Sequence, residues 1–503
     1  MSARRLYAAV AACAAVVYVG TLWNHFALDD NQIVQFNKLV FHLSGVWRAF
    51  VSPYWPPVVG GGMYRPLPVA SYAIDWQLGG AAWWFHAVNV AWHAGASVTV
   101  AWLTRRWSGE RAALAAGLVF AVHPVHVEAV ANIVGRAEVM AALFVLLAVY
   151  AALAHDNLWW SAAALATGLL SKENAVVAPA LIVWGWMMGL APPPSRGRMA
   201  TYAAVWVALG LAYGVARWGV LGHELVGRPA PVFFGASPIA VRLTAVAALA
   251  DVARLLVFPL TLRVDYSPAE RTLVTTPLDS RFALGLLCVA AWSALLWLNW
   301  RRGRRVEAFG LGWIAIALFP VSNLVVPVGV LLAERALYLP SAGLALAAGA
   351  WLKDLEQPRL ALVLSVLVVA GGVRTALRVP VWQDTRAMIG SELEDSPRSF
   401  AGPAHMVVMY LNGHQPAKAL EAYRSATEIY DVTLPWLQIQ GAEAAFATGQ
   451  HALADSLLDR VDEVCRPCDF YYRYESSVAR TRGYPAAADS FAARVGRAPV
   501  HDR

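Results

Sequence analysis

Long apolar segments separated by short basic breaks constrain the fold of this chain more than any other feature. A helix needs roughly 20 apolar residues to cross a bilayer, so any of these segments that is shorter must tilt or extend into a loop. Of the 503 residues, 58% are hydrophobic and only 15% are charged, which excludes a soluble protein of this length. The sequence therefore predicts a mainly α-helical, polytopic membrane protein with about eleven spans. They lie at about 6–25, 83–104, 111–123, 137–154, 158–171, 175–190, 200–218, 281–300, 306–323, 340–352 and 359–373.

Arginines concentrate in the breaks between these segments, which indicates the orientation of the chain. The breaks that carry them are 4–5, 105–111, 196–198 and 301–305, and such basic loops face the cytoplasm. With the amino terminus inside and eleven spans, the carboxyl terminus lies outside. Residues 239–258 are apolar but contain three charged side chains, so we interpret them as a re-entrant or interfacial segment. These loops account for the net charge of +7, and no nucleic-acid partner is predicted.

The tail, residues 383–503, is charged and contains no long apolar run. Gly413, Gly449 and Gly483 each precede an alanine-rich amphipathic stretch, at spacings of 36 and 34 residues. A period near 34 is typical of tetratricopeptide repeats, so we predict a short α-solenoid. Such a solenoid either holds an extended polypeptide or caps the chain. Cys465 and Cys468 are close enough in sequence to form a local disulfide.

Polar residues that are costly in a bilayer map to the predicted outer face, where a long first loop covers residues 26–82. Ionisable groups at membrane depth usually border a hydrated cavity, so we expect a catalytic or binding site at this face. The residues concerned are Asp29, Asp30, Arg65, His123, His126, Glu128, Arg136, Glu138, Lys172, Glu173, Glu334, Arg335 and Tyr338.

The residue types indicate a carboxylate base next to a phosphate site. Asp29 and Asp30 are adjacent, and paired carboxylates often raise the pKa of one member, which suits a general base. The alternative is an exposed loop and helix cap. Arg335 and Arg65 are planar donors suited to phosphate or pyrophosphate, and the alternative is that they extend to the membrane interface.

The segment after Pro124 leaves several alternatives open. If a helix begins there, Glu128, Asn132 and Arg136 form one polar stripe. The alternative is an internally satisfied Glu–Arg pair that holds two helices together. His123 and His126 with Glu128 could hold a divalent metal ion. The proline disrupts the spacing that metalloprotease helices use, and hydrogen bonding to a polar ligand is the favoured interpretation.

Seven short motifs together resemble the transmembrane and tetratricopeptide-repeat family of protein O-mannosyltransferases. In chain order they are Leu28-Asp29-Asp30, Tyr64-Arg65-Pro66-Leu67, Phe85-His86-Ala-Val-Asn89, His123-Pro-Val-His126-Val-Glu128, Gly135-Arg136-Ala-Glu138, Ser171-Lys172-Glu173 and Glu334-Arg335-Ala-Leu-Tyr338-Leu-Pro340-Ser341.

This resemblance implies a GT-C-type membrane domain over residues 1–380, followed by the repeats at 383–503. It implies a polyprenyl-phosphate sugar, most simply mannose, as donor, with inversion at the sugar. Asp29 becomes the catalytic carboxylate beside Asp30, and Arg335, Arg65 and Arg136 become ligands of the donor phosphate. The remaining polar residues are expected to contact sugar or acceptor: His123, His126, Glu128, Glu138, Lys172, Glu173, Glu334 and Tyr338.

The resemblance further implies Ser or Thr hydroxyls of exported proteins as acceptors, with the repeats contacting the polypeptide. The strong preference for arginine over lysine and for alanine suggests a bacterial member in the inner membrane. Its active site and tail would then be periplasmic, and its carrier undecaprenyl phosphate rather than dolichol phosphate. No cofactor is certain, and a divalent metal ion is left open. Two alternatives remain, a transferase acting on lipid or an envelope glycan, and a transporter or scaffold without catalysis.

Overall fold

The described residues form helices and connecting loops. A computed structural model describes residues 2–56, 62–222, 229–266, 268–465 and 468–496, and no β-strand occurs in these ranges. They divide into two compact units. The first contains the described residues up to 54, between 62 and 262, and between 273 and 387, and the second consists mainly of residues from 388 onward. The prediction of a mainly α-helical chain is confirmed.

The first unit contains fourteen α-helices among its described residues, connected by short 3₁₀ turns and one π-helical turn, Asn31–Gln35. They are α1 Ala3–Val17, α2 Gly45–Arg48, α3 Pro66–Gln77, α4 Ala82–Ala121, α5 Val127–Ala131, α6 Arg136–His155, α7 Leu158–Ser171, α8 Ala178–Met187, α9 Arg196–Leu221, α10 Pro238–Val257, α11 Ser280–Arg301, α12 Arg305–Leu318, α13 Tyr338–Leu352 and α14 Gln357–Arg378.

Each of the eleven predicted spans coincides with a helix of this unit. Two of them fall on α4, which is interrupted at Gly109, where φ is 81°. Among the described residues, four helical stretches are long and apolar enough to cross a membrane, or five if the bent pair α4 and α5 counts as one span. The membrane character of the chain is therefore confirmed, while the number eleven stays a prediction. Residues 239–257 lie within one unbroken helix, α10, so the re-entrant alternative is wrong and the interfacial one stays a prediction.

Two of the long helices present apolar side chains away from the protein. In α9 only Tyr202 and Leu221 are buried, and its exposed apolar side chains are spaced three to four residues apart. The same spacing runs along the exposed face of α14. Surfaces of this kind are unfavourable in water and suit a hydrocarbon environment. In α6, by contrast, most side chains are buried, so this helix belongs to the core of the unit.

Small residues allow the core helices to pack closely around α13. α12 and α4 both pack along α13. Gly310 of α12 and Gly343 of α13 face each other, and a Cβ at either position would collide with the carbonyl oxygen of the other. Such small-residue contacts are typical of helix packing in membranes. The start of α13 is thereby fixed relative to its neighbours, and Glu334 and Arg335 lie in the turn just before it.

The second unit consists of consecutive helix pairs preceded by α15, Thr385–Asp395. Within each pair the two helices pack on each other, and Gly449 and Gly483 adopt positive φ at the turns, while His414 does so in the first pair. This arrangement fits the spacing of the glycines; the assignment to tetratricopeptide repeats stays a prediction, as does the Cys465–Cys468 disulfide. The pairs are α16 Ala401–Asn412 with α17 Pro416–Ile429, α18 Pro435–Ala447 with α19 His451–Val464, and α20 Asp469–Thr481 with α21 Pro485–Arg494.

Candidate active site

Asp30 is a buried residue that holds the first loop against the chain before α6. Its side chain is fully buried and accepts hydrogen bonds from the main-chain amides of Val134 (2.8 Å), Ile133 (3.4 Å) and Ala27 (3.2 Å). Burial raises the pKa of Asp30 to about 7, although these three hydrogen bonds lower it. The contacts give Asp30 a positioning function in the loop.

Asp29 is only partly buried, unlike its neighbour Asp30. It follows Leu28, which has a positive φ of 48°, an uncommon conformation for a non-glycine residue that is often found at functional sites. The amide of Leu28 donates to the hydroxyl of Thr385 at 3.0 Å. This turn presents Asp29 at the surface of the unit while Asp30 points inward.

Arg335 is the cation that the structure brings towards Asp29. The Glu128 carboxylate raises the pKa of Arg335, and Asp29 and Glu138 add to this effect, whereas burial opposes it. Glu128 accepts from both the main-chain amide and the Nη1 of Arg335, each at 2.8 Å. The Arg335 side chain keeps 35% exposure, compared with 5% for Glu128. Glu128 thus anchors the arginine and leaves part of its guanidinium accessible.

Arg65 and Glu173 form a second ion pair near the same group of charges. Nε and Nη2 of Arg65 donate to the two oxygens of Glu173, at 3.0 and 2.6 Å. Burial would raise the pKa of Glu173, but Arg65 lowers it to about 2. The Arg65 guanidinium also lies 5.2 Å from the ring centre of Tyr54. Arg65 is 11% exposed and Glu173 40% exposed, so this pair borders the accessible part of the site.

Lys172 and Glu138 pair beneath these residues. The Lys172 ammonium donates to one oxygen of Glu138, and the amide of Asn174 donates to the other at 2.6 Å. Burial lowers the pKa of Lys172, and the Glu138 carboxylate counteracts this shift. The charges of Arg65 and Arg335 also act on Lys172. Five predicted charged residues are therefore close enough to interact with Arg335. They are Asp29, Arg65, Glu128, Glu138 and Lys172.

Arg136 lies apart from the accessible charges, in the interior of the unit. It is fully buried and donates to Asp75, to Asn89 at 2.7 Å, to Ser71 at 2.9 Å and to the carbonyl oxygen of Phe85 at 3.0 Å. Arg136 is thus satisfied inside the protein, although by Asp75 rather than by the glutamate expected from the sequence; its contact with a donor phosphate stays a prediction.

Glu128, Asn132 and Arg136 do not form one helical stripe, so that prediction is wrong. α5 ends at Ala131, and Asn132 adopts an extended conformation with ψ at 127° before a 3₁₀ turn and α6. The turn is required because its amides, those of Ile133 and Val134, donate to Asp30. The break directs Glu128 towards Arg335 and Arg136 towards Asp75.

The predicted histidines and Tyr338 also lie in the interior. Nε2 of His126 is 2.6 Å from the Ser341 hydroxyl, and Nε2 of His123 is 2.9 Å from the carbonyl oxygen of Leu256. The Tyr338 hydroxyl is 2.8 Å from Nδ1 of His93. Because Ser341 and Tyr338 belong to the first turn of α13, the contacts of His126 and His93 hold the helix that follows Arg335. Glu334 is buried in the same segment.

Several residues of this arrangement were not predicted from the sequence. Asp75 is the charged residue of the short helix α3, and an acid in that position indicates a buried cation partner. Asn89 is part of a motif that the resemblance used, and it anchors Arg136. Asn174 directly follows the Lys172-Glu173 pair. Tyr54 gave no sequence signal, because it lies in a loop without periodicity.

The structure also bears on the histidine–carboxylate metal site that the sequence left open. Within the described residues, no group of three or more His, Cys, Asp or Glu side chains is arranged to hold a metal ion. His123 and His126 instead make hydrogen bonds to protein groups.

Several known proteins are similar in sequence to this chain. Protein O-mannosyl-transferase TMTC4 of Mus musculus is 27% identical over 446 residues, which cover 74% of this chain and 59% of that protein. The human TMTC4 is 27% identical over 77% of this chain and 61% of its own length. Protein O-mannosyl-transferase Tmtc2 of Drosophila melanogaster is 34% identical over a shorter region, covering 39% of this chain and 23% of that protein.

The chain thus spans about 60% of the length of the two TMTC4 relatives. No family model matches it. Among solved structures, ArnT from Cupriavidus metallidurans, crystallised with undecaprenyl phosphate, aligns over 97% of this chain and 75% of that chain, with 14% identity and a TM-score of 0.40. The sequence similarity to the TMTC proteins confirms the predicted family resemblance.

Proposed function

We propose that this relative of the protein O-mannosyl-transferases is a membrane glycosyltransferase of the GT-C type. It transfers a sugar, most simply mannose, from a polyprenyl-phosphate donor to a Ser or Thr hydroxyl of an exported polypeptide. The single observation that carries this proposal is that a partly exposed carboxylate, Asp29, lies close enough to the partly exposed guanidinium of Arg335 for their charges to interact. A base beside a phosphate ligand is what transfer from a phospho-sugar requires.

The proposed reaction is one inverting displacement at the anomeric carbon. The acceptor hydroxyl attacks that carbon and forms the new glycosidic bond while the bond to the phosphate oxygen breaks. Asp29 accepts the hydroxyl proton, and the phosphate leaves with the electron pair of the broken bond. The charge on the leaving phosphate increases in the transition state, where a fixed guanidinium is most effective.

The difference in exposure between the two adjacent aspartates supports Asp29 as the base. Asp30 is fully buried and its oxygens accept three main-chain hydrogen bonds, so a substrate hydroxyl has no path to it. Asp29 is partly exposed and its charge acts on Arg335. A base must come within hydrogen-bond reach of the proton that it accepts.

Among the three predicted phosphate ligands, Arg335 has the largest exposed surface. Glu128 holds its main-chain amide and one terminal nitrogen, an arrangement that fixes the guanidinium before substrate binds. Arg65 is mostly buried and paired with Glu173, so it contributes charge at the border of the site. Arg136 is buried and satisfied by protein groups, and we assign it to the support of this region.

The test uses purified full-length protein with labelled polyprenyl-phosphate mannose and a pool of exported host proteins. We expect label on Ser or Thr of polypeptide, and a loss of about 10²–10⁴-fold in Asp29→Asn, the usual contribution of a general base. Glu356→Gln removes a carboxylate that is 75% exposed and serves as the matched control, with full activity expected.

Other distributions of the label decide between the alternatives. Label found only on lipid or glycan would replace the polypeptide acceptor and keep the transferase. Normal turnover in Asp29→Asn, with folding confirmed, would reject Asp29 as the base. If neither this donor nor other polyprenyl-phosphate sugars are consumed, the transferase proposal itself is wrong.

A further inference from the structure

A cavity that contains charges of both signs lies at the far end of α13 from the candidate active site. The 15 residues of α13 separate Arg335, before its start, from Lys353, after its end, a rise of about 22 Å along the helix axis. Lys353 and Asp354 line a cavity of about 390 Å³. Its other walls are formed by Trp107, just before the break in α4, by the loop after α8 and by the start of α12.

Glu307 is the residue that most needs an explanation in this cavity. It lies in the first turn of α12, is only 4% exposed, and lines the cavity. In the part of the chain that the structure describes, its carboxylate makes no hydrogen bond or ion pair. Its carboxylate is therefore available to a cation or hydrogen-bond donor that enters the cavity.

Cations line the same cavity without contacting Glu307. The side chains of Arg304 and Lys353 make no hydrogen bond or ion pair to any described residue. Arg305 uses Nη1 to donate to the carbonyl oxygen of Gly189 at 3.3 Å. The cavity therefore offers the Glu307 carboxylate at its buried side. Its rim carries the cations of Arg304 and Lys353 together with the carboxylate of Asp354.

The helix ends around the cavity have the composition of a membrane interface. α11 ends at Arg301, and its last turns carry the exposed side chains Trp297 and Trp300. The Arg301 guanidinium lies 5.4 Å from the ring centre of Trp297. Tryptophan and arginine at the end of an apolar helix are typical of the headgroup region of a bilayer. A ligand of this cavity can therefore have acyl chains that lie along the exposed apolar surface of α11.

We propose that this cavity binds the headgroup of a phosphatidylethanolamine molecule, with its ammonium on Glu307 and its phosphate on Arg304 and Lys353. A purely anionic headgroup would satisfy the two cations but be repelled by the carboxylates of Glu307 and Asp354. A choline headgroup carries a positive charge but has no N–H to donate to the carboxylate. Phosphoethanolamine offers a phosphate to the two cations and N–H donors to Glu307. Charge-assisted hydrogen bonds of this kind are the stronger ones in proteins.

The experiment is native mass spectrometry of the full-length protein in detergent, titrated separately with dioleoyl-phosphatidylethanolamine, dioleoyl-phosphatidylcholine and dioleoyl-phosphatidylglycerol. We expect the ethanolamine lipid to bind at least about tenfold more tightly than the other two, since its contact to Glu307 is charge-assisted. In Glu307→Gln that preference should disappear. Glu110→Gln, at an exposed carboxylate, is the control and should keep the preference.

Two further measurements keep the proposal testable if Glu307→Gln folds poorly. Arg304→Gln alters an exposed side chain and should weaken binding of the ethanolamine and choline lipids alike, by about tenfold. Free phosphoethanolamine in excess should displace the ethanolamine lipid, which distinguishes headgroup recognition from binding of acyl chains alone. Equal affinity for the three lipids, a preference retained in a folded Glu307→Gln protein, or no displacement by phosphoethanolamine would overturn the proposal. Because none of these measurements uses turnover, their outcome is independent of the proposed transferase activity.

Discussion

Adjacent side chains of the same type acquire different functions when their surroundings differ, and Asp29 and Asp30 are such a pair. The positive φ of Leu28 turns the chain so that one carboxylate faces outward and the other inward. Asp30 accepts three amides from two separate segments, so it connects the first loop to the turn before α6. The loss of each residue should therefore have a different consequence.

Substitution of Asp30 by Asn should primarily reduce stability. An asparagine retains one acceptor oxygen and places an NH₂ group against main-chain N–H groups, which leaves buried donors unsatisfied and costs about 1–3 kcal/mol. Thermal unfolding in detergent should show a lower midpoint for Asp30→Asn and an unchanged midpoint for Asp29→Asn. An unchanged midpoint in both variants would contradict the positioning function of Asp30.

Arg136 offers a second test at the residue scale. Removal of its charge in Arg136→Met leaves Asp75 as a buried, uncompensated carboxylate, which should cost about 3–5 kcal/mol. The double variant Asp75→Asn/Arg136→Met removes both charges and should recover part of that loss. Unfolding midpoints of the three variants, together with the KM for the donor, distinguish this function from phosphate binding. A raised KM at unchanged stability would restore Arg136 to the list of phosphate ligands.

At the scale of elements, apolar periodicity predicted where helices occur but not how they are interrupted. All eleven predicted spans coincide with helices, because the composition of each segment suffices to indicate one. The break at Asn132 depends on the contact between Asp30 and a turn about a hundred residues later in the chain, and no local pattern records it. The same limit applies to the site: the motifs indicated Arg65, Glu128, Glu173 and Arg335, but tertiary contacts decide which of them stay accessible.

Helix packing around α13 provides a prediction at this scale. Gly343→Ala places a Cβ against the carbonyl oxygen of Gly310, so α12 and α13 must separate, at a cost of about 1–3 kcal/mol. We expect a lower unfolding midpoint and slower sugar transfer per folded molecule, because α13 begins just after Arg335. Gly210→Ala in α9 is the control, since a Cβ there meets nothing within 4 Å. Equal effects of the two substitutions would show that the α12–α13 contact does not support the site.

At the scale of the whole molecule, the two compact units have different requirements for stability. The first exposes apolar side chains along α9, α11 and α14, which require a hydrocarbon environment. The second has its own core in the helix pairs α16–α21, with acidic and basic residues between the helices. Glu443 of α18 is fully buried there and accepts from Nη1 of Arg482 at 2.7 Å, while Glu475 of α20 is 3% exposed.

The second unit should become less stable as the pH rises from about 4.5 to about 7. Burial raises the pKa of Glu443 from 4.5 to about 7, with Glu475 adding and Arg482 opposing. The folded state therefore binds the proton more tightly than the unfolded state. The resulting stabilisation, about 3 kcal/mol, is complete below the unfolded pKa and is lost once the pH exceeds the folded pKa.

Amide exchange of α18 and α20 in the full-length protein, corrected for the intrinsic pH dependence, should show greater protection at about pH 5 than at about pH 7.5. Glu443→Gln should reduce this difference, and Glu421→Gln, at an exposed position of α17, should not. Protection that is independent of pH in the unaltered protein would mean that Glu443 is charged in the folded state, held by Arg482 despite its burial.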